Sequence, residues 1–503
     1  MDASLTSAAQ SDQAPPVTSV GTGAARFFER TDWVAGGITT VIAMTIYLLT
    51  LSSDLDLCDS GVYSVGAMHP GVPTPPGYAL WTIYGWLFIK LLPFSNIAWR
   101  LSVATALMAA LACGVVALMV SRGGKAVAEN VTGWKRLRPE DETRARVVCG
   151  AVAGLGFGFD GCVWYDAIRP DPGSLGLLLF ALTLCLLMRW LFVPEQRRYL
   201  WAAAFVYGLA LSNSQSLAAA VLGLSFLVAM GDRRVGREIF FGVGAICWFG
   251  LAAHHFWEWF DKYLGWGSAH IYSGIGVIAT AGGLALAITT RRFFSEWKTT
   301  SVCLALLLVG LGAYFISPLL SMTNPPMNWG YPRTVEGFGH LVTRGQFEQL
   351  RYTENFERFS QQWQIFGRVT AQRLGWSYLA AASASLFFVR KLSPVARNWL
   401  GGLWAVCIFL SALLLVGLNA SPDDYQSNLV FLSVFAAPHL LLTLLAGHGL
   451  VLVAAFLTQP REPKPEAPPD QGELLQAPHK ADLTKSAGKF KFFKKLICPR
   501  DRR

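Results

Sequence analysis

Apolar runs of about twenty residues recur along nearly the whole chain, each long enough to cross a hydrocarbon core about 30 Å thick as an α-helix. Of the 503 residues, 53% are hydrophobic and only 15% are charged, a balance foreign to a soluble chain of this length. Lipid leaves helices and closed barrels as the only spanning structures, and these runs lack the two-residue alternation of barrel strands. The expected fold is an all-α polytopic membrane protein. About twelve spans are predicted, at 32–52, 98–121, 147–165, 174–194, 199–214, 217–231, 238–255, 271–289, 301–320, 376–390, 399–418 and 429–457. The stretch from Tyr78 to Pro93 is also apolar, but Lys90 and Pro93 interrupt it, and a helix on the membrane surface is predicted there.

Orientation follows from Lys and Arg in the connections. Arg122, Lys125, Lys135, Arg136, Arg138, Arg144 and Arg146 fall between spans two and three. Further basic groups at 197–198, 233–237, 291–298 and 390–397 fill every second later connection, so both ends are predicted to be cytoplasmic. The loops 53–97, 166–173, 256–270, 321–375 and 419–428 then face outward, as does the tight turn at Gln215-Ser216. Residues 1–31 read as a disordered cytoplasmic start without a signal peptide, 32–457 as the membrane domain, and 458–503 as a Pro-rich and basic cytoplasmic tail. Lysines and phenylalanines interleave over Lys489–Leu496, which suits the anionic inner leaflet as well as a solvated tail. The net charge of +10 resides largely in that tail and the inner loops, so nucleic-acid binding is not implied. Seven cysteines lie in the spans as small apolar residues, no Cys/His spacing suggests a metal, and no phosphate-cradling Gly loop is present.

Chemistry concentrates at the outer membrane boundary. The 53–100 stretch is Pro/Gly-rich and opens with Asp54, Asp56 and Asp59, and carboxylates beside hydrocarbon usually handle a polar substrate. Asp59 before Ser60-Gly61 is a candidate catalytic base or, equally in keeping with its neighbours, a helix cap. Asp160, Asp166, Arg169 and Asp171 cluster at the outer end of span three, where Asp166 and Arg169 have the spacing of an ion pair and Asp171 is a second catalytic candidate. The long outer loop carries Arg333, Arg344 and Arg351, cations of the kind that stabilise a leaving phosphate, although Glu336, Glu348, Glu354 and Glu357 are close enough in sequence to pair with them. Arg100, at the mouth of span two, suits the same role or simple snorkelling. His439, inside the last span, reads as a satisfied core histidine.

Several stretches resemble one family in order. Asp59-Ser60-Gly61, Gly71-Val72-Pro73-Thr74-Pro75-Pro76-Gly77-Tyr78 and Trp99-Arg100-Leu101-Ser102 come first. Leu211–Ser216, Asn324–Gly330 with Pro332-Arg333-Thr334, and Thr343-Arg344-Gly345-Gln346 follow, with weaker echoes at His439 and Gly447-His448-Gly449. The pattern resembles a bacterial polytopic family related to the transmembrane protein O-mannosyltransferases and the wider GT-C glycosyltransferases. That resemblance implies transfer of a sugar from a polyprenyl-phosphate donor to a protein or glycan acceptor at the outer face of the bacterial inner membrane. It implies Asp59 and Asp171 as catalytic carboxylates, Arg333, Arg344 and Arg100 for the donor phosphate, and Tyr78, Asn213, Gln215, Asn328 and Trp329 around the substrate cavity. It implies no cofactor beyond the lipid-linked sugar and leaves a divalent metal open.

Three positions depart from the family pattern. Its Glu after Asp-Ser-Gly is Val62 here, its His before Pro-Pro-Gly is Thr74, and its His in the Asn-x-His-Thr element is Gln215. Such changes fit a different donor or acceptor, or a variant that binds lipid without catalysis. A transporter or lipid-carrier flippase is the rival class, which a dozen spans would suit, but the two halves share no convincing internal repeat.

Overall fold

The computed structural model describes residues 27–56, 59–135, 137–256, 258–345, 353, 355–418 and 425–458. The start and tail anticipated as disordered and basic lie outside this set except for residues 27–31 and Thr458, as do Arg351, Glu348 and Glu354. The described residues form helices and contain no strand. In chain order these are α1 (Arg30–Thr50), α2 (Ser60–Met68), α3 (Ala79–Leu91), α4 (Ile97–Ala128), α5 (Thr132–Lys135), α6 (Pro139–Gly158) and α7 (Gly161–Ala167). Then come α8 (Gly173–Phe192), α9 (Arg197–Asn213), α10 (Val221–Gly231), α11 (Arg233–Phe256), α12 (Glu258–Thr290), α13 (Trp297–Leu311) and α14 (Ile316–Met322). Last are α15 (Val335–Val342), α16 (Phe356–Arg373), α17 (Trp376–Phe387), α18 (Pro394–Leu418) and α19 (Tyr425–Leu457).

Every predicted span falls on helix, but not every helix is long enough to cross. Eight pass on length and hydropathy: α1, α4, α8, α11, the Ala269–Thr290 part of α12, the Trp297–Met322 run, α18 and the Ser433–Leu457 part of α19. A ninth arises if α6 and α7 count as one span bent by 68°. The remaining three expected spans are helices of 17, 11 and 12 residues, namely α9, α10 and α17. Local chemistry shortens them. Ser214 leaves helical geometry after α9, a 3₁₀ turn precedes α10, and Gly375, at φ 91°, opens α17. The Tyr78–Pro93 stretch becomes the 13-residue α3, too short to span.

Close backbone approach knits the first spans together, as expected where packing rather than hydrophobic contrast holds helices in lipid. A Cβ at Gly154 of α6 would sit 2.5 Å from the Cys113 carbonyl oxygen of α4, so only glycine lets the two axes come this near. At one end of this group Asp32 is fully buried, where it accepts a 2.6 Å hydrogen bond from Ser121 and lies 3.7 Å from Arg146. Arg146 also reaches Glu29 at 3.2 Å, so these buried charges are paired.

The break between α6 and α7 has a local cause. Phe159 leaves the helix at ψ 3°, Asp160 turns extended at ψ 130°, and the Asp160 carboxylate accepts the Cys162 amide at 3.2 Å to start α7. An Asp followed by Gly thus restarts a helix inside an apolar run.

Two Pro-rich loops meet outside the bundle. The Val72 amide donates to the Met327 carbonyl at 2.8 Å, and the Trp329 amide donates to the Val72 carbonyl at 2.9 Å. Gly71 permits this approach, because a Cβ there would lie 2.4 Å from the Met327 oxygen. Gly61, in the first turn of α2, has open space around its Cβ position. We therefore expect Gly71→Ala to destabilise the protein by about 1–3 kcal/mol. Gly61→Ala should be neutral or stabilising by up to about 1 kcal/mol. Thermal unfolding in detergent measures both, and an unaffected Gly71→Ala protein would mean the loops are not joined.

Candidate functional site

Asp59 ends the polar approach to α2. It occupies the N-cap position at φ −61° and ψ 5° but its side chain makes no capping hydrogen bond, and the residue is exposed. The neighbouring Ser60 does the local work: it is buried, its hydroxyl donates to the Asp56 carbonyl at 2.9 Å, and its oxygen accepts the Asp56 amide at 3.0 Å. The Asp59 carboxylate is left outside its own helix end.

One turn further along α2, Tyr63 is buried with its ring edge-on to Tyr78 at 5.5 Å and to Trp81 at 5.6 Å. Burial raises the Tyr63 phenol well above its ordinary pKa, and the fields of Tyr78, Asp171 and Asp59 add to the shift. Tyr78 is raised as well, by burial first, with Arg344 pulling it back. Both phenols stay protonated at neutral pH, which makes them hydrogen-bond donors rather than bases. Tyr78 adopts left-handed backbone at φ 42°, the strained geometry that often marks a functional position.

Arg344 reaches this group from the other loop. It too is left-handed, at φ 57°, and its guanidinium donates to the Pro75 carbonyl at 3.2 Å and approaches the Tyr78 hydroxyl at 3.5 Å. The turn that carries it is anchored by Gln215, whose amide donates to the Val342 carbonyl at 2.7 Å. Tyr314 lies beside Gln215 and donates to the Leu211 carbonyl at 2.9 Å.

Asp171 stands in the short link between α7 and α8, partly buried. It accepts the Gly173 amide at 2.6 Å, and its own amide donates to Thr105 at 3.3 Å. Burial, then the adjacent Asp166 carboxylate, hold the Asp171 carboxyl well above the usual range despite Arg169 and the Gly173 amide. Arg169 binds Asp166 at 2.7 Å, as their spacing anticipates, and lies 3.9 Å from Asp56 and 3.8 Å over the Tyr165 ring. Asp59 and Asp171 thus both act on Tyr63 and Tyr78, and Arg344 acts on Tyr78, although these residues come from three separated stretches of chain.

Other residues singled out from the sequence lie elsewhere. Arg100 donates to the carbonyls of Phe94 at 2.9 Å, Ile89 at 3.2 Å and Ser95 at 2.8 Å, so its guanidinium closes the end of α3. Asn213 is buried and donates to the Pro172 carbonyl at 2.8 Å, which steadies the link bearing Asp171. Asn328 and Trp329 line an open cleft of about 430 Å³ with Asn324, Pro325, Pro326, Met327 and Tyr331. Arg333 borders that cleft, donating to Asn324 at 2.6 Å with its charge 5.6 Å above the Tyr331 ring. Neither Asp59 nor Arg344 lines it.

A second polar group is wholly buried. Asp160 is hydrogen-bonded to His439 Nδ1, and His439 Nε2 is 3.0 Å from the Thr370 hydroxyl. With Cys162 these residues place three potential metal ligands within 4.8 Å of one another. The carboxylate and the ring are already engaged with each other and with Cys162 and Thr370, so the donors are satisfied without an ion. Sequence reading left Asp160 unassigned and passed over Tyr63 and Tyr314. Tyr63 carries a recoverable signal, since it lies four residues after Asp59 and so on the same side of α2.

The class defined by this arrangement is a polytopic helical membrane protein with acids, phenols and an arginine gathered where its loops meet. Comparison with known proteins makes the relation narrower. Residues 59–234 match the family described as the Protein O-mannosyl-transferase TMEM260 N-terminal domain. The mouse Protein O-mannosyl-transferase TMEM260 is 26% identical over 198 residues, 38% of this chain and 25% of that protein. The chain is therefore related to the O-mannosyltransferases and spans about a quarter of the length of that relative. Asp59, Tyr63, Tyr78, Asp171 and Gln215 fall inside the matched segment, whereas Arg344 does not.

The raised Asp171 carboxyl gives a pH signature with a definite sign. A folded-state pKa above the unfolded value means that the folded protein holds the proton longer, so this group costs stability once pH rises past about 4. Asp171→Asn keeps an acceptor for the Gly173 amide and removes that charge. The variant should gain in melting temperature relative to the parent as pH rises from about 4 to 7, with the gap smallest at the acid end. Parallel melting profiles across that range would rule out a strained carboxylate at this position.

Proposed function

We propose that the protein is a glycosyltransferase that moves a sugar from a polyprenyl-phosphate carrier to a protein or glycan hydroxyl at the outer face of a bacterial inner membrane. The observation that carries this reading is the grouping of Asp59, Tyr78, Asp171 and Arg344 at the junction of the two loops. Relation to an O-mannosyltransferase supports the reaction class, and the basic connections support the outward placement of the site.

The residues divide the chemistry as follows. Asp59, exposed and free of a capping bond to its helix, accepts the proton of the acceptor hydroxyl as its oxygen bonds to the sugar C1. The C1–O bond to the phosphate breaks, and its electron pair leaves with the lipid phosphate. Arg344 and the Tyr78 hydroxyl stabilise that charge as donors. Asp171, whose carboxyl burial and Asp166 push upward, donates a hydrogen bond in its protonated form. Neither Thr74 nor Gln215 titrates: Thr74 bonds Tyr63, and Gln215 fixes the turn before Arg344.

Two experiments test the proposal. With a polyprenyl-phosphate mannose donor and the purified protein, Asp59→Asn should lower turnover by about 10²–10⁴-fold with donor KM little changed. Arg344→Ala should lower turnover as well as raise donor KM, because the charge it stabilises develops as the phosphate leaves. Full turnover in Asp59→Asn removes Asp59 as the base. Separately, Glu336→Cys, placed on exposed α15 in a cysteine-replaced background, should react with a membrane-impermeant thiol reagent in intact spheroplasts. Labelling only after permeabilisation would put the site on the cytoplasmic face and end the proposal.

A further inference from the structure

A fully buried polar contact in the bundle joins three elements that are far apart in sequence. Asp160 is 1% exposed and His439 and Thr370 are 0% and 2% exposed, at the α6–α7 break, in α19 and in α16 respectively. A carboxylate only accepts, so Nδ1 carries a proton toward Asp160, while Nε2 is paired with the Thr370 hydroxyl. The other Asp160 oxygen caps α7 through the Cys162 amide, and the Asp160 carbonyl accepts the Trp164 amide at 2.8 Å. Phe366 and Phe435 pack edge-to-face at 4.9 Å beside the ring, which keeps the contact dry. In such a site a broken hydrogen bond is not replaced by water, so its loss is felt in full.

Each end of this chain leads to something else. Beyond the cap, α7 runs for seven residues and delivers Asp166, then Arg169 and Asp171, to the loop junction. Beyond Thr370, α16 is an amphipathic helix that follows the Arg344 turn in the long loop. We propose that His439 is a positioning residue that couples the seating of α16 to the angle of α7, so that the packing of α16 sets the link bearing Asp171. The inference rests on the proposed function only for its consequence in turnover; the coupling itself is a statement about the fold.

Hydrogen exchange of the full-length protein in nanodiscs reads the coupling directly. Thr370→Val removes the hydroxyl from α16, and the expected result is amide exchange at least tenfold faster in residues 161–171, on a different element. Thr370→Ser restores the hydroxyl and should return that segment to the parent rate. A purely local role for Thr370 would accelerate only residues 363–373 and overturn the proposal. If Thr370→Val does not accumulate, two His439 variants carry the test. His439→Asn keeps an amide where Nδ1 lies and His439→Gln places one near Nε2; each breaks one link of the relay, so both 161–171 and 363–373 should exchange faster in each variant. Acceleration confined to 363–373 in His439→Asn and to 161–171 in His439→Gln would refute the coupling, as would one equivalent of zinc per chain in elemental analysis of the parent, which would make Asp160, Cys162 and His439 metal ligands. Where sugar transfer is measurable, Thr370→Val should lower turnover at least tenfold and Thr370→Ser restore it. A parent without transfer sinks the proposed function and leaves the exchange result to decide this one.

Discussion

The site depends on two proline-rich loops meeting their backbone hydrogen-bonding needs on each other. Val72 exchanges amide and carbonyl bonds with Met327 and Trp329, and Arg344 then reaches the Pro75 carbonyl 269 positions earlier in the chain. Proline can neither continue a helix nor donate an amide, so segments holding Pro73, Pro75 and Pro76 on one side and Pro325, Pro326 and Pro332 on the other cannot meet all their backbone needs by continuing a helix. Near a hydrocarbon boundary unpaired backbone is expensive, and the cheapest partner is another segment with the same deficit. The carboxylates of the first loop and the cation of the second are brought together by this backbone need.

The helical architecture was legible because periodicity and length act locally. The charge pairing of Asp166 with Arg169 was legible for the same reason. What escaped was whatever depends on where a helix stops or on partners far apart in sequence. The α6–α7 break lies inside Gly158-Phe159-Asp160-Gly161, which reads as apolar until the Asp160 carboxylate is seen capping the next helix. Asp160 and His439 are 279 positions apart, and nothing in either neighbourhood signals the other. Arg100 has the composition of a phosphate ligand but spends its guanidinium on three carbonyls at the end of α3, a use visible only once that helix is known to end there. Asn328 and Trp329 also share a sequence neighbourhood with the catalytic candidates but line a different cleft.

The departures from the family pattern acquire a physical meaning here. Thr74 and Gln215 stand where the resembling family carries histidine, and both make hydrogen bonds that need no proton exchange, to Tyr63 and to the Val342 carbonyl. They hold the phenol and the arginine turn in place. Among the carboxylates around the loop junction, burial and the neighbouring Asp166 push Asp171 well above the usual carboxylate range.

The 68° bend between α6 and α7 also bears on the lipid around the protein. From the last basic residue of α6, Arg146, to the break at Gly158 there are twelve residues, about 18 Å of helix at 1.5 Å per residue. That is well short of a hydrocarbon core of about 30 Å, so α6 alone is too short to cross and a crossing here would have to include the bend. A straight helix answers hydrophobic mismatch by tilting as a rod. A helix with an elbow answers it by opening or closing the elbow, and this elbow swings Asp166 and Arg169. In a bilayer, such an elbow would turn a change in acyl-chain length into a displacement of the Asp166–Arg169 pair.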